Sequence, residues 1–349
     1  RALSLFGAAP QHQKACQIIF GNPFAAPKMQ TLRLILSDKF IWLLSGAVLL
    51  ATLVPVQGVA KEIAGILFNA GIFAVFLLHG IRLERHEVRA GLGNIRLQGT
   101  IFVWVFAVML AIGLLLSKAL DQILPADVAL GFLFLGVLPS TVQSATSYCA
   151  IARGNVAASV VASALINLVG VFLSPLLFAL LASAAGVEIT SETIIKLAAI
   201  LVLPFVLGQV FQTWLRPCVM QHKDLTGWID RGVIALAVYV SFSAAIIAGM
   251  WSRVSCTEFI WLAAALLFWL GLAFGGTWLL GGWMGFVRAD RKTLLFSGAQ
   301  KSVAIGAPLA AIIFAPERAG LVILPLIFYH LAQLFLSAPV ALRLAGDED

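Results

Sequence analysis

"LPSTVQSATSYCAIARGN", residues 138–155, interrupts a long apolar run with Pro139 and a set of polar side chains: Ser140, Thr141, Gln143, Ser144, Thr146 and Ser147. A second interruption of the same kind, "SGAQKSVAIGAP", occupies 297–308, where Gly298, Gly306 and Pro308 flank Gln300, Lys301 and Ser302. Apolar stretches long enough to cross a hydrocarbon core of about 30 Å lie near 39–57, 63–81, 98–117, 128–150 and 156–182. Five more lie near 194–215, 231–251, 259–283, 293–315 and 320–341. These runs are too long and too continuously apolar for barrel strands. The expected fold is therefore an all-α polytopic membrane protein of about ten transmembrane helices.

Composition agrees. Hydrophobic residues make up 61% of the 349 and charged residues 11%, with a mean hydropathy of +1.01. A soluble domain carries roughly 25% charged residues, so lipid is the solvent that this composition fits. The net charge of +7 is spread over short gaps between the runs, without a basic patch. It is read as membrane topology, not as a nucleic-acid partner. Cys16, Cys149, Cys218 and Cys256 have neither CxxC nor Cys/His spacing, which implies no zinc site and no disulfide framework. Residues 1–28 lack helical periodicity and the apolar core of a signal peptide. They read as an unstructured extension or a mis-called start ahead of Met29, and all of 1–38 as a disordered N-terminal extension.

Orientation follows from the basic residues of the connections. Arg82, Arg85, Arg89 and Arg96 share the 82–96 link, Arg216, Lys223 and Arg231 the 216–231 link, and Arg288, Arg291 and Lys292 the 286–292 link. Lys61, Lys118, Lys196, Arg253 and Arg318 stand essentially one to each alternate link. The bias places both termini in the cytoplasm. The crossings divide into two five-helix repeats, 39–184 and 193–343, joined by a short link with Glu188 and Glu192 and followed by the tail 344–349. An odd number of crossings per half makes any repeat an inverted one, and the fourth helix of each half carries the interruption.

A helix break survives at membrane depth only where it is buried or lines a cavity. Paired breaks at matching positions point to a transport site; the plainer reading is two kinked helices whose serines bond back to carbonyls. Lys301 lies about eight residues inside its run, too deep for easy snorkelling. A charge there costs at least about 2.5–3.5 kcal/mol and commonly carries function. No Asp or Glu lies within the apolar cores. The partners left to Lys301 are carbonyls of the broken helices, a substrate anion, or a proton released on desolvation. The plainer reading is a lysine that caps the C-terminal end of a half-helix. Gln143, Thr146, Gln300, Lys301 and Ser302 are the candidate substrate-binding residues. Arg153 reads as topology and helix capping. His79 and His330, with no carboxylate nearby, read as interhelical hydrogen bonders. The nine tryptophans read as interface anchors.

"LPSTVQSA…IARGNVAA…LVGVFLSPLL" and "FSGAQKSVAIGAPLA…LVILPLIFYHLAQL" closely resemble the bile acid:sodium symporter superfamily, most of all its bacterial branch related to sodium/bile acid cotransporter 7. The likeness runs from about Lys39 to the C-terminus and includes "LLATLVPVQG" and "FLLHGIRL". It implies a panel domain, a core domain, and broken helices four and nine that cross near the midplane. In the sodium-coupled members, hydroxyls and amides around this crossing bind sodium. By motif, Thr146, Ser159 and Ser163 match ion-binding positions, and Gln300 matches the glutamine of the second break. Ser159 and Ser163 are one helical turn apart. The departures are Phe296 where those members place a glutamate, Lys301 in place of the asparagine beside the glutamine, and Ala145 in place of a serine ligand. Losing a carboxylate and gaining an ammonium changes the local charge by about two units, so Lys301 is expected to take the space and electrostatic role of a sodium ion.

The function expected is secondary transport of a small organic anion by alternating access, in a bacterial inner membrane, with sodium coupling weakened or replaced. A sodium-coupled, bile-acid-like symporter is the alternative; a non-transporting regulator of ion or envelope homeostasis is an alternative of another class. Na+ or H+ are the coupling ions open to it, and no cofactor, confident metal site or obligate protein partner is implied. HExxH, GxSxG and nucleotide-binding motifs are missing from the sequence, which argues against an intramembrane enzyme and excludes ATP-driven pumping within this chain.

Overall fold

The computed structural model describes residues 39–82, 94–184, 195, 198–249 and 254–346. The N-terminal extension 1–38, the basic residues Arg85, Arg89, Lys196 and Arg253, the acidic link with Glu188 and Glu192, and residues 347–349 lie outside it. Among the described residues every regular element is helical.

Helix α1 spans Lys39–Leu53 and α2 Gly58–Arg82. Pro55 separates them, since it has no N–H to donate and restricts the residue before it. Helix α3 covers Ile95–Leu120, with Trp104–Val108 wound as a π turn. Helices α4 (Ala126–Val137), α5 (Gln143–Ile151) and α6 (Val156–Ala184) follow. A π turn at Ala198–Val202 leads into α7 (Leu203–Val210), then α8 (Gln212–Gln221) and α9 (Lys223–Ile247). Helix α10 (Cys256–Trp283) starts from a capping box made by Ser255 and Glu258. Helices α11 (Arg288–Ala299), α12 (Val303–Ile313), α13 (Pro316–Val322) and α14 (Leu324–Gly346) complete the chain. Seven helical stretches are long and apolar enough to cross a membrane, or eight if the bent pair at 199–221 counts as one; two shorter apolar helices are Trp42–Leu53 and Ala126–Val137.

Packing sorts these elements. Helices α1, α2, α7 and α9 lie on one another, while α3, α4, α5, α6, α10, α11 and α14 surround the two breaks; α9 also touches α12 and α13. Two carboxylates tie helix starts together. Asp127, at the start of α4, accepts from Arg318 of α13 at 2.8 and 2.7 Å. Asp290, at the start of α11, accepts from Asn155 ahead of α6 at 2.8 Å and from Asn94 ahead of α3 at 3.3 Å. Both asparagines also cap their own helices, accepting from Ala158 and Leu97 amides.

Two connections differ from their expected form. The 216–231 link is helical, because α8 and the first turns of α9 run through it. The amphipathic residues and the acidic Asp224 in the first turn of α9 favour helix over loop here. The 286–292 link shortens to a turn at Gly285, φ +70°, and α11 takes up Arg288, Arg291 and Lys292. Early winding of α9 also corrects the reading of His79: Asp230 pairs with Arg82 and lies 3.9 Å from His79 Nε2, so a carboxylate is beside it.

Helices α2 and α7 meet through glycines. A Cβ at Gly208 would lie 2.3 Å from the Leu77 carbonyl oxygen, and one at Gly80 2.2 Å from that of Phe205. Neither obstacle is a side chain that can swing away. Gly208→Val is expected to destabilise by about 1–3 kcal/mol and lower the thermal midpoint in detergent. Gly275→Ala, at a site with open space around it, is expected to leave the midpoint unchanged.

Candidate functional site

At the first break the chain leaves helical geometry at Leu138 (φ −73°, ψ 148°) and resumes it at Gln143. Six successive carbonyls, 136 to 141, lose or loosen their helical partners there, and each has another. Lys301 Nζ donates to Gly136 at 2.9 Å and Leu138 at 2.7 Å. Ser174 donates to Val137 at 2.7 Å, and the Ser302 amide donates to Pro139 at 2.9 Å. Asn167 donates to Ser140 at 2.9 Å, and Ser163 makes a weak bond to Thr141 at 3.4 Å. Since an unpaired buried carbonyl costs about 1–3 kcal/mol, this accounting is what allows a break at this depth.

The second break runs from Gln300 to Ser302, both extended. Gln333 of α14 grips the Lys301 peptide unit on both sides: its Oε1 accepts from the Lys301 amide at 2.8 Å and its Nε2 donates to the Lys301 carbonyl at 3.1 Å. Tyr329 donates to the Ala299 carbonyl at 2.7 Å, closing the end of α11. Gly306 and Pro308, which flank the break in sequence, sit inside α12.

Gln300 joins the two breaks by its side chain. Its Oε1 accepts from Thr141 at 2.8 Å and from Ser144, and its Nε2 donates to Ser337 at 3.3 Å. Lys301 joins them by charge. An ammonium has three N–H donors, and the third goes to the Val105 carbonyl at 3.2 Å, inside the π turn of α3. Wider i→i+5 winding loosens the ladder at that point and leaves the carbonyl free to turn. Lys301 is fully buried, and no ion pair among the described residues involves it.

The candidate residues do not form one cluster. Gln300, Lys301 and Ser302 are buried at the crossing. Gln143 is exposed on the outer side of α5, and Thr146 is half-buried, with a hydroxyl that has no partner among the described residues. Ser159 bonds Ser297 at 3.1 Å, and Ser163 faces the first break. Phe296 is fully buried and its ring packs 6.1 Å from that of Tyr148; Ala145 is buried beside it on α5. Arg153 sits exposed past the end of α5 with φ +56°, the left-handed conformation of a helix stop.

Sequence reasoning missed Asn167, Ser174, Tyr329, Gln333 and Ser337. A signal was available for them. Tyr329, Gln333 and Ser337 follow one another at four-residue steps on α14, and Ser163, Asn167, Gly170 and Ser174 repeat at four, three and four on α6. Each set is a polar or small stripe on one face of an otherwise apolar helix.

Two interrupted helices bonded to each other inside an all-helical, multi-span fold define a polytopic membrane protein of the transporter class. The SBF-like CPA transporter family matches residues 38–346, and the chain belongs to that family. It is 38% identical to an uncharacterized protein of Pseudomonas aeruginosa, over 90% of this chain and 95% of that protein. It is 33% identical to YfeH of Escherichia coli, named as a candidate symporter, over 88% and 92%. It is 27% identical to sodium/bile acid cotransporter 7 of Danio rerio, over 85% and 91%. The family and these named relatives are transporters, not enzymes.

Lys301→Met removes the donors of three buried carbonyls, each worth about 1–3 kcal/mol if left unpaired. The variant is expected to unfold at a lower temperature than wild type in a detergent thermal melt. A midpoint at or above wild type would mean that burying the charge outweighs those bonds.

Proposed function

We propose that this chain is a secondary transporter of an organic anion, working by alternating access, in which the Lys301 ammonium stands where sodium-coupled relatives hold sodium. The observation that carries this reading is the ring of three carbonyls, Val105, Gly136 and Leu138, around Lys301 Nζ at 2.7–3.2 Å. Backbone oxygens at a helix C-terminal end are what a monovalent cation would otherwise use. Here a tethered cation occupies them, and while it does so a bare ion cannot take the same oxygens. With Phe296 in the glutamate position, the remaining hydroxyls and amides lack the formal negative charge that hard cations favour.

The site is read as part of ten crossings in two inverted repeats. The carboxylate ties support that pairing. Asp127 links the start of one broken helix to the element leading into α14, and Asp290 links the start of the other to the start of α6. Exchanging the halves carries one tie onto the other. On this reading α1, α2, α7 and α9 form the panel, and the helices around the breaks form the core. Both termini face the cytoplasm of a bacterial inner membrane.

The amino-terminal ends of α5 and α12 start from the crossing, and their first-turn amides supply partial positive charge. Lys301 neutralises the opposing end of α4, so the amino-terminal ends dominate the field and an anion is the favoured solute. Gln143 is exposed on α5, and the Thr146 hydroxyl, buried one turn on with no partner among the described residues, is open to a ligand that enters there. Gln300, Lys301 and Ser302 support the crossing from behind.

A sodium-coupled symporter is the second reading, favoured by the name of the cotransporter 7 relatives. Uptake into proteoliposomes of taurocholate and of small mono- and dicarboxylates separates the two. Uptake of at least one anion is expected, unchanged when choline replaces sodium and abolished by Gln300→Ala. Steep dependence on a sodium gradient that survives Lys301→Met would overturn the lysine-for-sodium reading.

A further inference from the structure

Helices α7 and α8 meet at Phe211 with a bend of 95°. Helix α7 packs against the last turns of α2, where Gln209 donates to the Gly80 carbonyl at 2.6 Å. Helix α8 therefore leaves at a right angle from the level at which α2 ends, beside Arg82 and its partner Asp230. Gln212, the first residue of α8, is buried and donates to the Ile81 carbonyl at 3.1 Å.

The residues of α8 divide three ways around its axis at 100° per residue. Gln212, Arg216 and Val219 fall on the side against the protein, and they are the less exposed ones. Trp214, Leu215 and Cys218 form an apolar flank, with Trp214 74% exposed. The opposite flank, polar at Thr213 and Gln221 and apolar at Pro217 and Met220, is exposed throughout. A helix fully in water has no use for Trp214 and Leu215, and a spanning helix has none for Thr213 and Gln221. The division suits a helix lying along the boundary between lipid and water. Basic residues stand near it: Arg216 on its protein-facing side, the exposed Lys223 at the start of α9, and Arg231 two turns further on, whose guanidinium lies 5.5 Å from the exposed Trp228 ring. Asp224 and Asp230 are the acids in this stretch, and Asp230 is held by Arg82.

We propose that α8 is a membrane-surface anchor, with Trp214, Leu215 and Cys218 in the acyl boundary and Lys223 and Arg231 bound to the phosphates of anionic phospholipid. Gln209 and Gln212 pass the anchor's position to the end of α2, so the headgroup layer fixes the height of the α1, α2, α7, α9 bundle. The lipid contact stands apart from the transport reading; the claim that it steadies one bundle against the other rests on that reading.

The test needs no transported solute. A protein with Cys218 as its one cysteine is labelled with bimane and placed in phosphatidylcholine nanodiscs with or without phosphatidylglycerol. A second protein carries the label at Gln221→Cys on a Cys218→Ser background. Brominated lipid is expected to quench the label at 218 severalfold more than at 221, and aqueous iodide the reverse. Phosphatidylglycerol is expected to raise the thermal midpoint more than phosphatidylcholine does, and Lys223→Gln with Arg231→Gln to remove that difference. Equal iodide quenching at both positions would overturn the interfacial placement. A phosphatidylglycerol shift unchanged in the double variant would overturn the headgroup contact.

Discussion

The Lys301 ammonium on three backbone carbonyls is the interaction on which the rest of this architecture depends. A helix that stops inside a bilayer exposes carbonyl oxygens with nowhere to turn, and lipid offers no donor. One side chain from the second break supplies donors to the end of α4 and to the π turn of α3. Pro139 has no N–H with which to continue the ladder, so the end of α4 needs such a supplier. The Ser302–Pro139 bond and the Gln300–Thr141–Ser144 contacts then follow from the geometry that this charge permits.

A tethered cation and a bound ion satisfy the same oxygens, but they differ in what they allow. An ion enters and leaves, so its gradient can drive a conformational cycle; an ammonium on a side chain stays with the chain. Burial of Lys301 also has a cost that only good geometry offsets, because the charge is removed from water without a carboxylate to pair with. Three carbonyl bonds and the opposing helix end supply that geometry. Relatives of this chain include proteins named for sodium, and on the function proposed above the lysine takes the place of such an ion.

The two packed groups of helices hold together by different means. Around the breaks, polar side chains from α6 and α14 reach inward to bare backbone. Between α2 and α7 there is close backbone contact at Gly80 and Gly208, and the glutamines of α7 and α8 satisfy the last carbonyls of α2. Backbone contact leaves little room for adjustment between α2 and α7, whereas side-chain bonds hold the crossing.

Most of the fold was legible because the features concerned are local. Apolar length, the polar interruptions at 138–155 and 297–308, and a lysine inside an apolar run need only neighbouring residues to be noticed. The stripes on α6 and α14 were equally local, yet a tyrosine, a glutamine and a few serines in apolar helices do not declare what they face. The premise that His79 has no carboxylate nearby failed for a related reason: Asp230, on another helix, is more than a hundred residues away and looks like part of a loop. By itself, the sequence determined that this chain crosses a membrane many times and breaks two of its helices around a buried charge. Only the tertiary structure decided which carbonyls that charge serves, which side chains complete the breaks, and that α8 turns through 95°. Hydrogen bonds at depth form between whatever donors and acceptors packing brings together, and that pairing is a property of the fold and not of sequence spacing.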